Sequence, residues 1–146
     1  ARTVSVWAQS NYNYLSAGNA GGIWNWGSSS GTGTRFGMVI SPNDNHDYFV
    51  GEFEDLDGVY NLTDGKWHNI IVAFDGTTVT VWVDAFYSRS GALPLSTTLQ
   101  ALEIGRSSVD HGVAEPFTGN LDDLRIYDRV LTEDERGELF FEGGWH

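Results

Sequence analysis

Two stretches carry the clearest alternation of apolar and polar positions. In residues 65–84, Ile70, Val72 and Phe74 alternate with Asn69, Ile71 and Ala73. Asp75-Gly76-Thr77 then interrupts, and Val79, Val81 and Val83 alternate with Thr80 and Trp82. A period of two on both sides of an Asp-Gly pair predicts a β-hairpin. In residues 119–140, Leu124 and Ile126 alternate with Asp123, Arg125 and Tyr127, which predicts a strand. Thr132 and Glu135 then have the spacing of a capping box, predicting a helix over residues 132–140. The same reading puts strands at residues 2–10, 12–17, 22–26, 35–40, 48–54, 67–75, 78–84, 99–105 and 117–128. Loops fall at 27–33 and 88–91, rich in Gly and Ser, at the acidic stretches 43–47 and 55–58, and at the polar stretch 107–115.

At 146 residues the chain has the length of one domain, and residues 1–146 are read as such. Its 18 Gly, its many Val, Ile, Thr and aromatic residues, and its short strands between turns predict an all-β fold. That fold is an antiparallel β-sandwich with one short C-terminal helix. No run approaches the roughly 18 apolar residues of a membrane span, which argues against membrane insertion. No signal peptide or initiator Met opens the chain, as expected of a mature or excised domain. There is no Cys, so disulfides play no part. A formal charge of −12 argues against nucleic acid as a partner, because phosphate binding needs clustered Lys and Arg. It favours cations, or simply keeps the chain soluble.

The opening TVSVWAQ at residues 3–9, the hairpin GKWHNIIVAFDGTTVTVWVD and the closing GNLDDLRIYDRVLTEDE together resemble the laminin G-like group. That group belongs to the concanavalin A-like jelly rolls and is similar to pentraxins. The fold hosts lectins, adhesion modules, glycanases and spacers alike. The resemblance implies non-catalytic recognition outside the cell or at its surface, with a glycan or glycoconjugate as partner and Ca²⁺ as a helper. A protein-binding adhesion or assembly domain is the first alternative, and a small retaining glycoside hydrolase the second. Relatives usually carry one more strand before the segment matching residues 3–9, pairing near the C-terminal strand. Its absence predicts an open sheet edge at the N-terminus, through which a homo-oligomer could form. The pentraxin calcium run of carboxylates corresponds here to Arg106-Ser107-Ser108-Val109-Asp110, leaving Asp110 and Glu115 as oxygen ligands in that loop.

Aromatic residues form the first candidate constellation. Tyr12, Tyr14, Trp24 and Trp26 fall within 15 residues, each pair two apart and so on one strand face. Exposed rings of this kind stack on sugar C–H patches, and Asn11, Asn13, Asn19 and Asn25 supply amides for hydroxyls. The competing expectation is that half of these rings are core. Trp7, Trp67 and Trp82 lie in the resemblance motifs and read as core.

Acidic residues form the second. Asp44, Asn45 and Asp47, in the run Asn43-Asp44-Asn45-His46-Asp47, and Asp110 are the candidate Ca²⁺ ligands, although Asx-rich runs also arise as turns. Asp122 shares the parity of Leu124 and Ile126, which predicts an inward carboxylate with a structural role. Glu52-Phe53-Glu54-Asp55-Leu56-Asp57 places carboxylates as E-x-E-x-x-D, close to the E-x-D-x-x-E of jelly-roll glucanases with altered order. A solvated acidic face accounts for the same residues. His68 reads as a satisfied structural histidine, and Asn61-Leu62-Thr63 is a glycosylation sequon that matters only on a eukaryotic secretory route.

Overall fold

The computed structural model describes residues 1–108 and 110–142. The elements in chain order are β1 (Arg2–Gln9), α1 (Tyr14–Ala17), β2 (Gly21–Gly27), β3 (Arg35–Ile40), β4 (His46–Val50), β5 (Leu56–Asn61), β6 (Trp67–Phe74), β7 (Thr78–Val83), β8 (Phe86–Ala92), β9 (Glu103–Ile104), β10 (Asn120–Tyr127) and α2 (Glu133–Glu142). The strands form two five-stranded sheets, ordered β10-β1-β6-β7-β8 and β5-β4-β3-β2-β9, with antiparallel pairing throughout. This is the two-sheet sandwich that the alternation predicts.

The core lies between the sheets. Val4, Val6 and Ala8 of β1, Ile70 and Val72 of β6, and Val79, Val81 and Val83 of β7 face Trp24, Phe36, Met38, Ile40 and Phe49 of the second sheet. β1 and β6 are buried almost without interruption because the outer face of their sheet is covered too. Ile71 packs there on Leu131 and Leu139, and Trp7 stacks on Phe140 at 5.9 Å. The capping box explains where α2 starts: Glu135 N donates to Thr132 Oγ1 at 3.3 Å, and Thr132 N donates to Glu135 Oε2 at 2.8 Å.

Several predicted elements are corrected. Residues 14–17 form a single helical turn, not a strand, because Asn13 caps it by accepting from Ser16 N and Gly18 closes it at φ +70°. The supposed loops at 55–58 and 88–91 contribute to β5 and β8, whereas residues 51–54 leave the ladder in a bend. Only Glu103 and Ile104 of the expected 99–105 strand are paired. β1 has a partner on each side, and β10 and β8 are outermost in that sheet; among the described residues no strand pairs the outer side of the C-terminal strand β10, where the missing strand was expected.

The register shifts in four strand pairs, and two of these bulges bear on the predicted faces. In β10 the register steps from Ser5↔Arg125 to Trp7↔Asp122, and Asp123 sits at φ +50°. Leu121 and Leu124 therefore both pack toward the core, while Asp122 lies opposite Trp7, whose ring is on the outer, helix-covered face. The inward carboxylate expected at Asp122 is thus turned to the other face, where its Oδ1 accepts from Asp123 N at 2.8 Å. In β2 the step between Gly22 and Trp24 buries Ile23 and Trp24 together.

Candidate functional site

The outer face of the second sheet is one surface where strand side chains and a loop enclose space. Here β3 presents Arg35, Gly37 and Val39, opposite in parity to the core residues Phe36, Met38 and Ile40, and β4 presents Tyr48 and Val50. Residues 105–108 and 110–117 run over β2 as a wall. Gly105 N donates to Ile23 O at 2.8 Å and Gly22 N to Glu115 O at 2.9 Å. Gly22 is required for this approach, since a Cβ there would lie 2.1 Å from Ser107 N. Between wall and strands is a depression of about 210 Å³, floored by Val39, Tyr48 and Val50 and walled by His111 and Glu115, with Asn43 at one end.

Its polar groups are held in place. Arg35 is 2% exposed and lies under the wall. Its Nε donates to Asn25 Oδ1 at 2.8 Å, Nη1 to Glu52 Oε2 at 3.2 Å and Nη2 to Ser107 Oγ at 2.6 Å. Tyr48 donates to Asp55 Oδ2 at 3.3 Å, and burial together with the Asp55 charge pushes its phenol up to about 12, so it stays a neutral ring. Glu115 adopts φ +44° and faces His111, with Oε2 3.5 Å from Nδ1. An apolar floor with a few fixed donors and acceptors suits a polyhydroxylated ligand with one apolar face.

The aromatic platform expected from the sequence does not form. Tyr14 is 1% exposed and exchanges hydrogen bonds with Thr118, and Trp24 is wholly buried. Asn25 is buried and bound to Arg35 and Gly27 O. Trp26 is half-buried against the core, so only Tyr12, edge-on to Tyr14 at 4.9 Å, reaches solvent freely. Burial of apolar rings outweighs their display: each is worth about 1.5–3 kcal/mol inside.

The expected Ca²⁺ ligands also fail to converge. Asp47 is buried and accepts from Tyr60 N at 2.9 Å and Ser88 Oγ at 2.7 Å; burial pushes its carboxyl up, against those two bonds. Asn45 Oδ1 accepts from Leu15 N, and Asp44 Oδ1 accepts from His46 N as an Asx turn. Asp110 belongs to another loop, where Ser108 and Ser29 hold its carboxyl down at about 2; Val109 beside it lies outside the described residues. Among the described residues, no three His, Cys, Asp or Glu side chains are gathered to hold a metal. The four do not fit one ion.

The E-x-E-x-x-D carboxylates do not lie on a bulged inner strand. Glu52 and Phe53 occupy the bend at φ +63° and +64°, and Glu52 is paired with Arg35. His68 is the satisfied histidine expected, with Nδ1 2.7 Å from Asp84 Oδ2 and Nε2 2.9 Å from Asp64 Oδ1. Sequence reasoning missed Tyr48 and His111 and weighed Glu115 only as a metal ligand. The available signal was that 38–40 and 48–50 are apolar at both parities, which marks strands covered on two faces.

Known proteins agree with this architecture. Domain 4 of AbnA, a GH43 extracellular arabinanase of Geobacillus stearothermophilus, solved with arabinotriose, superposes with TM-score 0.73 at 20% identity, covering 94% of this chain and 65% of that one. The CBM40 of the Ruminococcus gnavus IT-sialidase gives TM-score 0.72 at 13% identity over 95% of this chain and 82% of that one. Domains LG4-5 of the mouse laminin α1 chain give 0.63 at 17% over 86% and 34%. In sequence, the protocadherin-like wing polarity protein stan of Drosophila melanogaster is 34% identical over 87 residues, which is 53% of this chain and 2% of that protein. No helix among the described residues is long and apolar enough to cross a membrane. The Laminin_G_3 profile matches residues 1–135, so the chain belongs to this family of the concanavalin A-like lectin/glucanase superfamily.

Proposed function

We propose that this chain is a non-catalytic glycan-binding module acting outside the cell, with its ligand in the groove on the outer face of the second sheet. The observation that carries the reading is the apolar floor of Val39, Tyr48 and Val50 walled by His111 and Glu115. A sugar ring offers a C–H face to such a floor and hydroxyls to such a wall. Structural likeness to modules solved with arabinotriose and with α2,3 sialyllactose supports it. Catalysis is not part of the reading, because Glu52 is engaged by Arg35. Neither is calcium, because the acidic side chains are committed to turns and to the Ser88 and Ser29 contacts.

A glycan array run with Ca²⁺ and repeated in EDTA tests this. Binding at about μM to mM affinity that survives EDTA and falls roughly tenfold in Tyr48→Ala supports it. A hit abolished by EDTA, or one indifferent to Tyr48→Ala, contradicts it. The second reading, an adhesion domain with a protein partner, is favoured by the likeness to stan and to laminin, and a blank array would leave it standing.

A further inference from the structure

We infer that the groove selects neutral glycans and rejects acidic ones; this rests on the glycan-binding reading and specifies its ligand class. The charges at the groove decide it. A carboxylated or sulfated sugar needs an uncommitted cation, and the strongest arrangement is a guanidinium offering two parallel N–H groups. Arg35 is the one Arg or Lys among the lining residues. It is poorly placed to do so: its side chain is 3% exposed, and three of its five N–H groups already donate, to Asn25, Glu52 and Ser107. Its charge is answered by Glu52 from beneath.

Besides Arg35, the titratable side chains lining the groove are Tyr48, His111 and Glu115; Arg106, in the same wall segment, is not among the lining residues. Glu115 stands in the wall with a side-chain exposure of 17%, and His111, its one ion-pair partner among the described residues, is turned toward it at 3.5 Å. Asp55 adds a second carboxylate at the far end of the Tyr48 ring, bound to its hydroxyl. The surrounding protein carries a formal charge of −12, so an anion meets repulsion before it arrives and again at the wall. For a neutral sugar the same groups are assets. A carboxylate accepts hydroxyl protons in charge-assisted hydrogen bonds, and the apolar floor is indifferent to charge. The selectivity thus comes from a repulsive element as much as an attractive one.

The test titrates the whole chain with two sets of oligosaccharides at low and at high salt. The neutral set is arabinotriose, xylotetraose, cellotetraose and lactose; the acidic set is trigalacturonate and 3′-sialyllactose. The expected result is at least one neutral ligand bound tenfold or more tightly than any acidic one. Salt should narrow that gap, and Glu115→Gln should narrow it at least threefold with unchanged thermal stability. An acidic ligand bound as tightly as the best neutral one, or a gap unmoved by both salt and Glu115→Gln, overturns the inference while glycan binding stands. No binding by either set overturns the glycan reading itself, and the inference with it.

Discussion

One carboxylate oxygen of Asp110 holds Ser29 twice, accepting from its main-chain N–H at 3.0 Å and from its Oγ at 3.1 Å. The bond joins the loop after β2 to the segment that becomes the wall of the groove. Ser108 Oγ donates to the same oxygen. In the function proposed above, Asp110 anchors the segment that carries His111 and Glu115.

Asp110→Ala should loosen that wall without unfolding the sandwich. Glycan affinity is expected to fall about three- to tenfold, with the melting temperature moving less than about 3 °C, since the residue is exposed. Addition of EDTA to the unaltered chain should change neither quantity. Calorimetric titration beside a thermal melt distinguishes this from a metal ligand, whose loss and whose chelation would act alike.

Trp24→Ala is predicted to fail as a protein before it fails as a binder. The indole is wholly buried and packs on Phe36 at 5.3 Å, so the cavity should cost about 3–5 kcal/mol in urea unfolding. Tyr12→Ala, at an exposed position, should stay within about 1 kcal/mol of the parent and keep full affinity.

Gly58→Ala tests the buried carboxylate of Asp47. A Cβ at Gly58 would lie 2.1 Å from Asp47 Oδ2, the atom that accepts from Ser88 Oγ. Displacing it strands Ser88 and Tyr60 N, so a loss of about 2–4 kcal/mol is expected. Asp47→Asn keeps the volume and should cost less.

His68 predicts a pH dependence. Burial opposes its charge, but Asp84 and Asp64 together outweigh that and raise its proton affinity above the ordinary value of 6.5. The folded state thus binds the proton more tightly than the unfolded chain. Its stabilisation is complete below pH 6.5 and is lost as pH rises through the raised value. Asp64 is shifted the other way, opposed by burial but lowered by Lys66 N–H and His68, so its share is lost on acidification below the ordinary 3.8. Melting temperature should fall between pH 5.5 and pH 8.5, and His68→Gln should flatten that arm of the curve.

The sandwich was legible because its central strands follow a strict period: 70–74, 79–83 and 36–40 bury alternate residues on the core side. β5 and β8 were hidden because Asp57-Gly58 and Ser88 to Gly91 carry the chemistry of turns. In the fold Gly58 makes room for Asp47, and Ser88 bonds to it. The face of Asp122 was misread, and the joint burial of Ile23 and Trp24 went unseen, for one reason. A bulge inserts a residue that no local pattern announces, and every side chain beyond it changes sides. The groove was out of reach because Val39, Tyr48 and Glu115 meet only through the second sheet and the loop laid across it.

The most direct test of the central claim is a ¹⁵N-resolved NMR titration of the chain with its best array ligand. The account predicts shift changes concentrated at Val39, Tyr48, Val50 and residues 110–115. Changes concentrated at Tyr12, Trp26 or β10, with the second sheet unmoved, would contradict it.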